Sequence, residues 1–89
     1  MKDNLFENWL EIELRSRKLG EVLDELNKSC GTKYQHNWPS MMKSRGYSLD
    51  RLTKNVRQYM MSVVLAEFCE QNNIDISEKL QNKFIKVLT

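Results

Sequence analysis

Glycine and proline are scarce, with three Gly and one Pro in 89 residues. That excludes a collagen-like or linker-like chain and removes most of the residues that interrupt helices. Cysteine is limited to Cys30 and Cys69, with no C-x-x-C pair, and His36 is the only histidine. Four Cys or His ligands for zinc do not exist within one chain, so no metal and no other cofactor is expected, and both thiols are expected to be buried and reduced. Long apolar runs are also missing. The longest, around Met60–Phe68, is broken by Ser62 and Glu67, well short of the about 20 apolar residues that cross a bilayer. The opening stretch MKDNLFENWLEIELRSRK has no apolar h-region and no small-residue cleavage site, so no signal peptide is expected and the chain is read as cytoplasmic. With one His, no Gly-rich phosphate loop and no cluster of metal ligands, neither catalysis nor a small-molecule substrate is expected. A Cys30–His36 pair lacks a third group to orient it.

What the chain does have is ordinary globular material: 40% of its residues are apolar, 9% are aromatic and 29% are charged. Its length fits one domain, residues 1–89, with a modest core that help from a partner would enlarge. Leu, Glu, Lys and Met dominate over β-branched runs, which favours helices. The first is expected from about Asn4 to Arg17, capped by Asp3 or Asn4, with Leu5, Phe6, Trp9, Leu10, Ile12 and Leu14 as its apolar stripe. The second runs from about Leu19 to Ser29, with Leu19, Val22, Leu23 and Leu26 on one face and Gly31 ending it. A short helix is expected near Pro39–Ser44, because proline suits a first helical turn, with a turn around Lys33–Asn37 ahead of it, and Gly46 stops it. A long helix follows from Leu52 or Thr53 to Gln71, with Val56, Tyr59, Met60, Val63, Val64, Ala66 and Phe68 as buried candidates. Asn72 and Asn73 end it. The last helix, about Ser77–Leu88, starts at a weak Asp75/Glu78 capping signal. The expected fold is therefore all-α, a small bundle of about five helices.

The near-neutral total charge of +2 hides an asymmetry. Residues 1–31 carry five basic and seven acidic side chains, a net −2. Residues 32–60 carry Lys33, Lys43, Arg45, Arg51, Lys54 and Arg57 against Asp50 alone, a net +5. Residues 61–89 return to −1, with three basic and four acidic side chains. The basic middle third also holds Thr32, Tyr34, Gln35, His36, Asn37, Ser40, Ser44 and Ser48. Such side chains grip phosphate oxygens or read base edges, and cations on one side of a rigid support neutralise a phosphate backbone. A solvated basic loop and a docking face for an acidic protein are the alternatives. Gln35 and Asn37 can also brace the turn, and Tyr34 and Trp38 can also be core. Neither Met41-Met42 nor Met60-Met61 can point both members inward on a helix, so one of each pair is expected to be partly exposed.

The order of these features resembles a helix-turn-helix over about residues 18–46. KLGEVLDELNKSCG, residues 18–31, looks like its first helix and turn glycine. TKYQHNWPSMMKSRG, residues 32–46, looks like the turn and recognition helix, and Leu49–Met61 is similar to the helix that follows. The family resembled is the Cro/CI-like (lambda-repressor-like) regulators of phages and plasmids, over about half the chain. That resemblance implies a recognition helix in the major groove of double-stranded DNA. It places base contacts at Lys33, Tyr34, Gln35, His36, Asn37, Ser40 and Lys43, with Gln35 and Asn37 suited to adenine. It places phosphate contacts at Thr32, Ser44, Arg45, Arg51, Lys54 and Arg57.

The last helix carries Leu80, Phe84, Ile85 and Leu88, an apolar face that either closes the core or forms a twofold dimer interface matching a palindromic operator. The leading expectation is thus a sequence-specific DNA-binding regulator, a repressor, acting as a homodimer without a membrane partner. The alternative is a small adaptor or inhibitor of phage or plasmid type that binds a protein, and RNA is a third candidate ligand.

Overall fold

In the structure, a computed structural model, residues 4–74 and 77–88 are described. They form five helices: α1 (Leu5–Leu14), α2 (Leu19–Cys30), α3 (Trp38–Ser44), α4 (Lys54–Gln71) and α5 (Glu78–Leu88). No strand occurs among the described residues. The expected all-α bundle of five helices is the architecture observed.

Short-range chemistry marks most of the helix ends, although α1 stops at Leu14, short of the expected Arg17, and α2 and α3 begin without a side-chain cap. Asn4 caps α1, its Oδ1 accepting from the Glu7 backbone N–H at 3.2 Å. Thr53 caps α4 by accepting from the Val56 N–H at 3.3 Å. Ser77 caps α5 by accepting from the Leu80 N–H at 3.3 Å; Asp75, the other candidate for that role, lies outside the described residues. Left-handed residues close α2, α3 and α4: Gly31 at φ 68°, Gly46 at 65° and Asn73 at 53°. In each case the next N–H reaches back into the last turn: Thr32 to Asn27, Tyr47 to Met42 and Ile74 to Cys69, at 3.1, 2.8 and 2.8 Å. Pro39 sits in the first turn of α3, where its missing N–H is harmless.

Helix α4 is the axis of the bundle, with α1, α2 and α5 all laid against it. Phe6 and Trp9 from α1, Val22 and Leu26 from α2, and Val56 and Met60 from α4 are fully enclosed. Burying side chains of this kind contributes about 1.5–3 kcal/mol each. Trp38 and Met42 bring α3 to the same core. The Trp38 ring meets Phe6 edge-on, with centroids 5.1 Å apart, and packs beside Trp9. One member of each methionine pair is buried, Met42 and Met60, while Met41 is exposed and Met61 half-buried.

Several burial expectations are corrected. On α1, Leu14 is exposed, whereas Asn8 and Glu13 are buried. Glu13 is tolerated inside because Arg17 donates to it at 2.7 Å and also pairs with Glu25 on α2. That bond to the Glu13 carboxylate holds the Arg17 guanidinium above its ordinary pKa. On α4, Ala66 and Phe68 are exposed; Cys69 is buried as expected, whereas Cys30, at the end of α2, is only half-buried. The helical period is the same on any face; the position of the neighbouring helices decides which arc is covered.

Candidate nucleic-acid interface

The basic middle third folds into three pieces: the connection from α2 to α3 (residues 31–37), α3 itself, and the turn into α4 (residues 45–53). The first piece is organised by Asn27, in the last turn of α2. Its Oδ1 accepts from the Thr32 hydroxyl at 2.8 Å and from the Tyr34 N–H at 2.9 Å. Its Nδ2 donates to the Tyr34 carbonyl at 2.9 Å. One amide thus satisfies both backbone groups of Tyr34 and holds Lys33 and Gln35 on either side of a fixed point.

Tyr34 is further held by its ring, which lies parallel to Trp38 at 3.7 Å and 8°. Trp38 is buried, as one of the two readings had it, and Tyr34 is half-buried on top of it. Burial pushes the Tyr34 phenol above its ordinary pKa, with the nearby Cys30 adding to the shift.

The third piece is a sharp turn. Gly46 and Tyr47 both adopt left-handed backbone, and Tyr47 does so with a full side chain at φ 57°, a conformation that costs about 1–3 kcal/mol. The surroundings hold it there. Its N–H donates to the Met42 carbonyl, its carbonyl accepts from the Asn4 side chain at 3.0 Å, and its ring stacks on Phe6 at 6.0 Å.

Between these pieces runs an open groove of about 290 Å³. Trp38, Met42 and Leu52 form its apolar part, and Lys33, Arg45 and Arg51 reach it from separate segments. None of these three cations makes an ion pair with a described residue; the described ion pairs all belong to Arg15 and Arg17. Gln35 and Asn37 line the same groove, exposed, and their side-chain amides make no hydrogen bond to a described residue. Asn27, not either of these, braces the turn. His36 is exposed over Gly20, where an added Cβ would sit 3.2 Å from its Nε2.

The residues singled out from sequence therefore divide. Lys33, Gln35, His36, Asn37, Ser40, Lys43, Arg45, Arg51 and Lys54 are all exposed. Thr32 and Ser44 have already committed their single hydroxyl protons, to Asn27 and to the Met41 carbonyl at 2.8 Å, so neither has an O–H left to donate to phosphate. Arg57 is half-buried, with its Nε closed off from solvent and without a partner. It is not an open cation like the others. Leu80 and Phe84 are exposed on α5, while Ile85 is buried within the chain; the side chain of Leu88 lies outside the described residues.

The helix-turn-helix expectation meets a geometric departure. The connection between α2 and α3 spans seven residues, 31–37, against the three or four of a tight turn. No Cα of α3 comes within 8 Å of a Cα on another helix. Lys33 to Asn37 consequently lie in the turn expected ahead of α3, and not at the start of a recognition helix as the resemblance implied. The cause is local: Asn27 and Gly31 hold the chain in a turn until Trp38 can enter the core. Asn27 is the bracing residue that sequence reasoning missed. Its only signal was an amide placed four residues before a helix-ending glycine.

Among the described residues no group of three His, Cys, Asp or Glu side chains could hold a metal ion, and no helix is long and apolar enough to cross a membrane. No family model, curated protein or solved structure matches the chain.

Proposed function

We propose that this chain is a DNA-binding regulator that holds duplex DNA against the groove between the 31–37 connection, α3 and the 45–53 turn. The observation that carries this reading is the set of three unpaired cations, Lys33, Arg45 and Arg51, at one groove beside the unengaged amides of Gln35 and Asn37. The cations suit phosphates and the amides suit adenine edges. Lys43 and Lys54, both exposed, extend the basic surface. A palindromic operator read by two copies, with repression as the outcome, is the specific form of the proposal.

Five phosphate contacts imply a log–log salt slope of about −4.5, an affinity loss of roughly 500-fold between 50 and 200 mM salt. Anisotropy of a labelled duplex measures this directly. Replacing Lys33, Arg45 or Arg51 by glutamine is expected to flatten the slope by about 0.9 each, and selection from a random duplex pool is expected to enrich one motif. A salt-independent affinity, or equal binding to duplex DNA and single-stranded RNA with no motif enriched, overturns the reading. Met41, 38% exposed in the same groove, favours as a second reading an acidic protein segment bearing apolar side chains, as an adaptor or inhibitor would bind. Co-purification with a protein and no nucleic acid would mark that case.

A further inference from the structure

Helix α3 sends Trp38 and Met42 into the core. The residues one position earlier, Asn37 and Met41, line the groove instead, and Arg45 follows them there. The Met41 N–H donates to the Asn37 carbonyl at 3.0 Å, and the Arg45 N–H donates to the Met41 carbonyl at 3.2 Å. The three therefore succeed one another a turn apart, with neighbouring Cβ atoms about 5–6 Å from each other. All three are exposed. Along this stripe the chemistry runs amide, thioether, guanidinium. The amide suits an adenine edge and the guanidinium a phosphate, which leaves the thioether between them to be explained. Met41 is a large apolar side chain, 38% exposed, in a groove that Lys33, Arg45 and Arg51 also line without ion-pair partners among the described residues.

The order of these groups matches one kind of base pair. In the major groove an A·T pair displays the adenine N7 and N6 atoms, which take an amide, and the thymine C5-methyl, an apolar group among polar edges. A G·C pair has no such methyl. Successive base pairs are about 3.4 Å apart, so an amide and a thioether one helical turn apart reach the same pair or the next one. Methionine suits the contact, because its unbranched thioether adapts to the surface it meets. The cations around it suit the phosphates that flank any base. We infer that Met41 determines specificity: it packs on the C5-methyl of a thymine in the pair that Asn37 reads or the pair beside it. The groove thus selects A·T pairs by an apolar contact as well as by hydrogen bonds. The inference rests on the DNA reading and names what the groove reads. Uracil differs from thymine by that methyl alone, so the contact can be deleted from the DNA without removing a hydrogen bond or a charge.

Anisotropy tests it on the duplex enriched from a random pool, with its thymines replaced one at a time by deoxyuridine. For the wild-type chain, one replacement next to or opposite an adenine is expected to weaken binding about four-fold, the worth of one buried methyl. Met41→Ala is expected to bind the thymine duplex more weakly and to bind the thymine and deoxyuridine duplexes equally. Met41→Leu, which keeps an apolar side chain, is expected to restore the preference. Both variants should keep the wild-type melt, because Met41 is exposed, and the wild-type salt slope, because no charge is lost. The inference is overturned if no thymine replacement weakens binding, if the methyl effect survives in Met41→Ala, or if no motif is enriched. Any of these with a steep salt slope leaves DNA binding standing, whereas a salt-independent affinity sinks both. Met41→Ala that binds DNA like the wild type but loses a co-purifying protein also overturns it, and gives Met41 to that protein.

Discussion

Replacing Asn27 by alanine removes three hydrogen bonds at once, to the Thr32 hydroxyl and to both backbone groups of Tyr34, without touching a cation. Each bond contributes about 1 kcal/mol net, and the site is only partly buried, so the expected loss is about 2–3 kcal/mol. Total stability for a chain of this length is roughly 4–13 kcal/mol, which makes the loss a large share of it. The melting temperature, read by far-UV circular dichroism, should fall by roughly 10–20 °C. Thr32→Val removes one of the three bonds and should cost about 1 kcal/mol in the wild type. In the Asn27→Ala background it should cost almost nothing, because its partner is already gone. The same variant should weaken binding to duplex DNA by loosening Lys33 and Gln35, yet leave the salt slope unchanged, since no charge is lost. The reasoning fails if Asn27→Ala melts within about 2 °C of wild type, or if Thr32→Val is equally costly in both backgrounds.

Two glycines should respond in opposite ways to alanine. Gly46 is left-handed with open space around it, so Gly46→Ala should lose about 1–2 kcal/mol from backbone conformation alone. Gly20 lies inside α2, where its new Cβ would press only on the exposed His36 ring at 3.2 Å. That ring can move aside, so the gain in helix propensity, up to about 1 kcal/mol, should leave Gly20→Ala equal to or more stable than wild type in the same melts. Stability should also fall in alkali. Burial raises the pKa values of Cys30, Tyr34 and Tyr59, so the folded state holds protons that the unfolded chain releases. Stability is then full below about pH 8.5 and declines as pH climbs through the ordinary thiol and phenol values near 8.5 and 10. Urea titrations from neutral pH upward should show this decline, and Tyr34→Phe should make it shallower; a pH-independent midpoint would contradict it.

Local chemistry explains how much of the fold could be read in advance. Helix ends are decided within about five residues, by whether a side chain can satisfy a free N–H or a residue can turn left-handed. Asn4, Thr53, Gly31, Gly46 and Asn73 do these jobs, and each is visible as a residue type at a position. The concentration of positive charge in residues 32–60 is likewise a property of composition. The groove was legible in its charges and in Gln35 and Asn37, but not in its construction.

Burial and convergence belong to the tertiary structure, because they depend on which distant surface lies opposite. Periodicity alone put Leu14 and Phe68 inside; the neighbouring helices leave both exposed and instead cover Glu13, paired with Arg17. Arg57 and Arg51 are the same residue type six positions apart, yet one is half-buried and the other lines the groove. Only folding sets Lys33, Arg45 and Arg51 around one groove, and only the packing of α5 on α4 takes Ile85 inward while leaving Leu80, Phe84 and Val87 bare. The order of residues set the five helices, most of their ends and the sign of the middle third, though not the end of α1. Which side chains share a face, and which are left exposed, was decided by long-range packing, where burial energy depends on the neighbour and not on the residue alone.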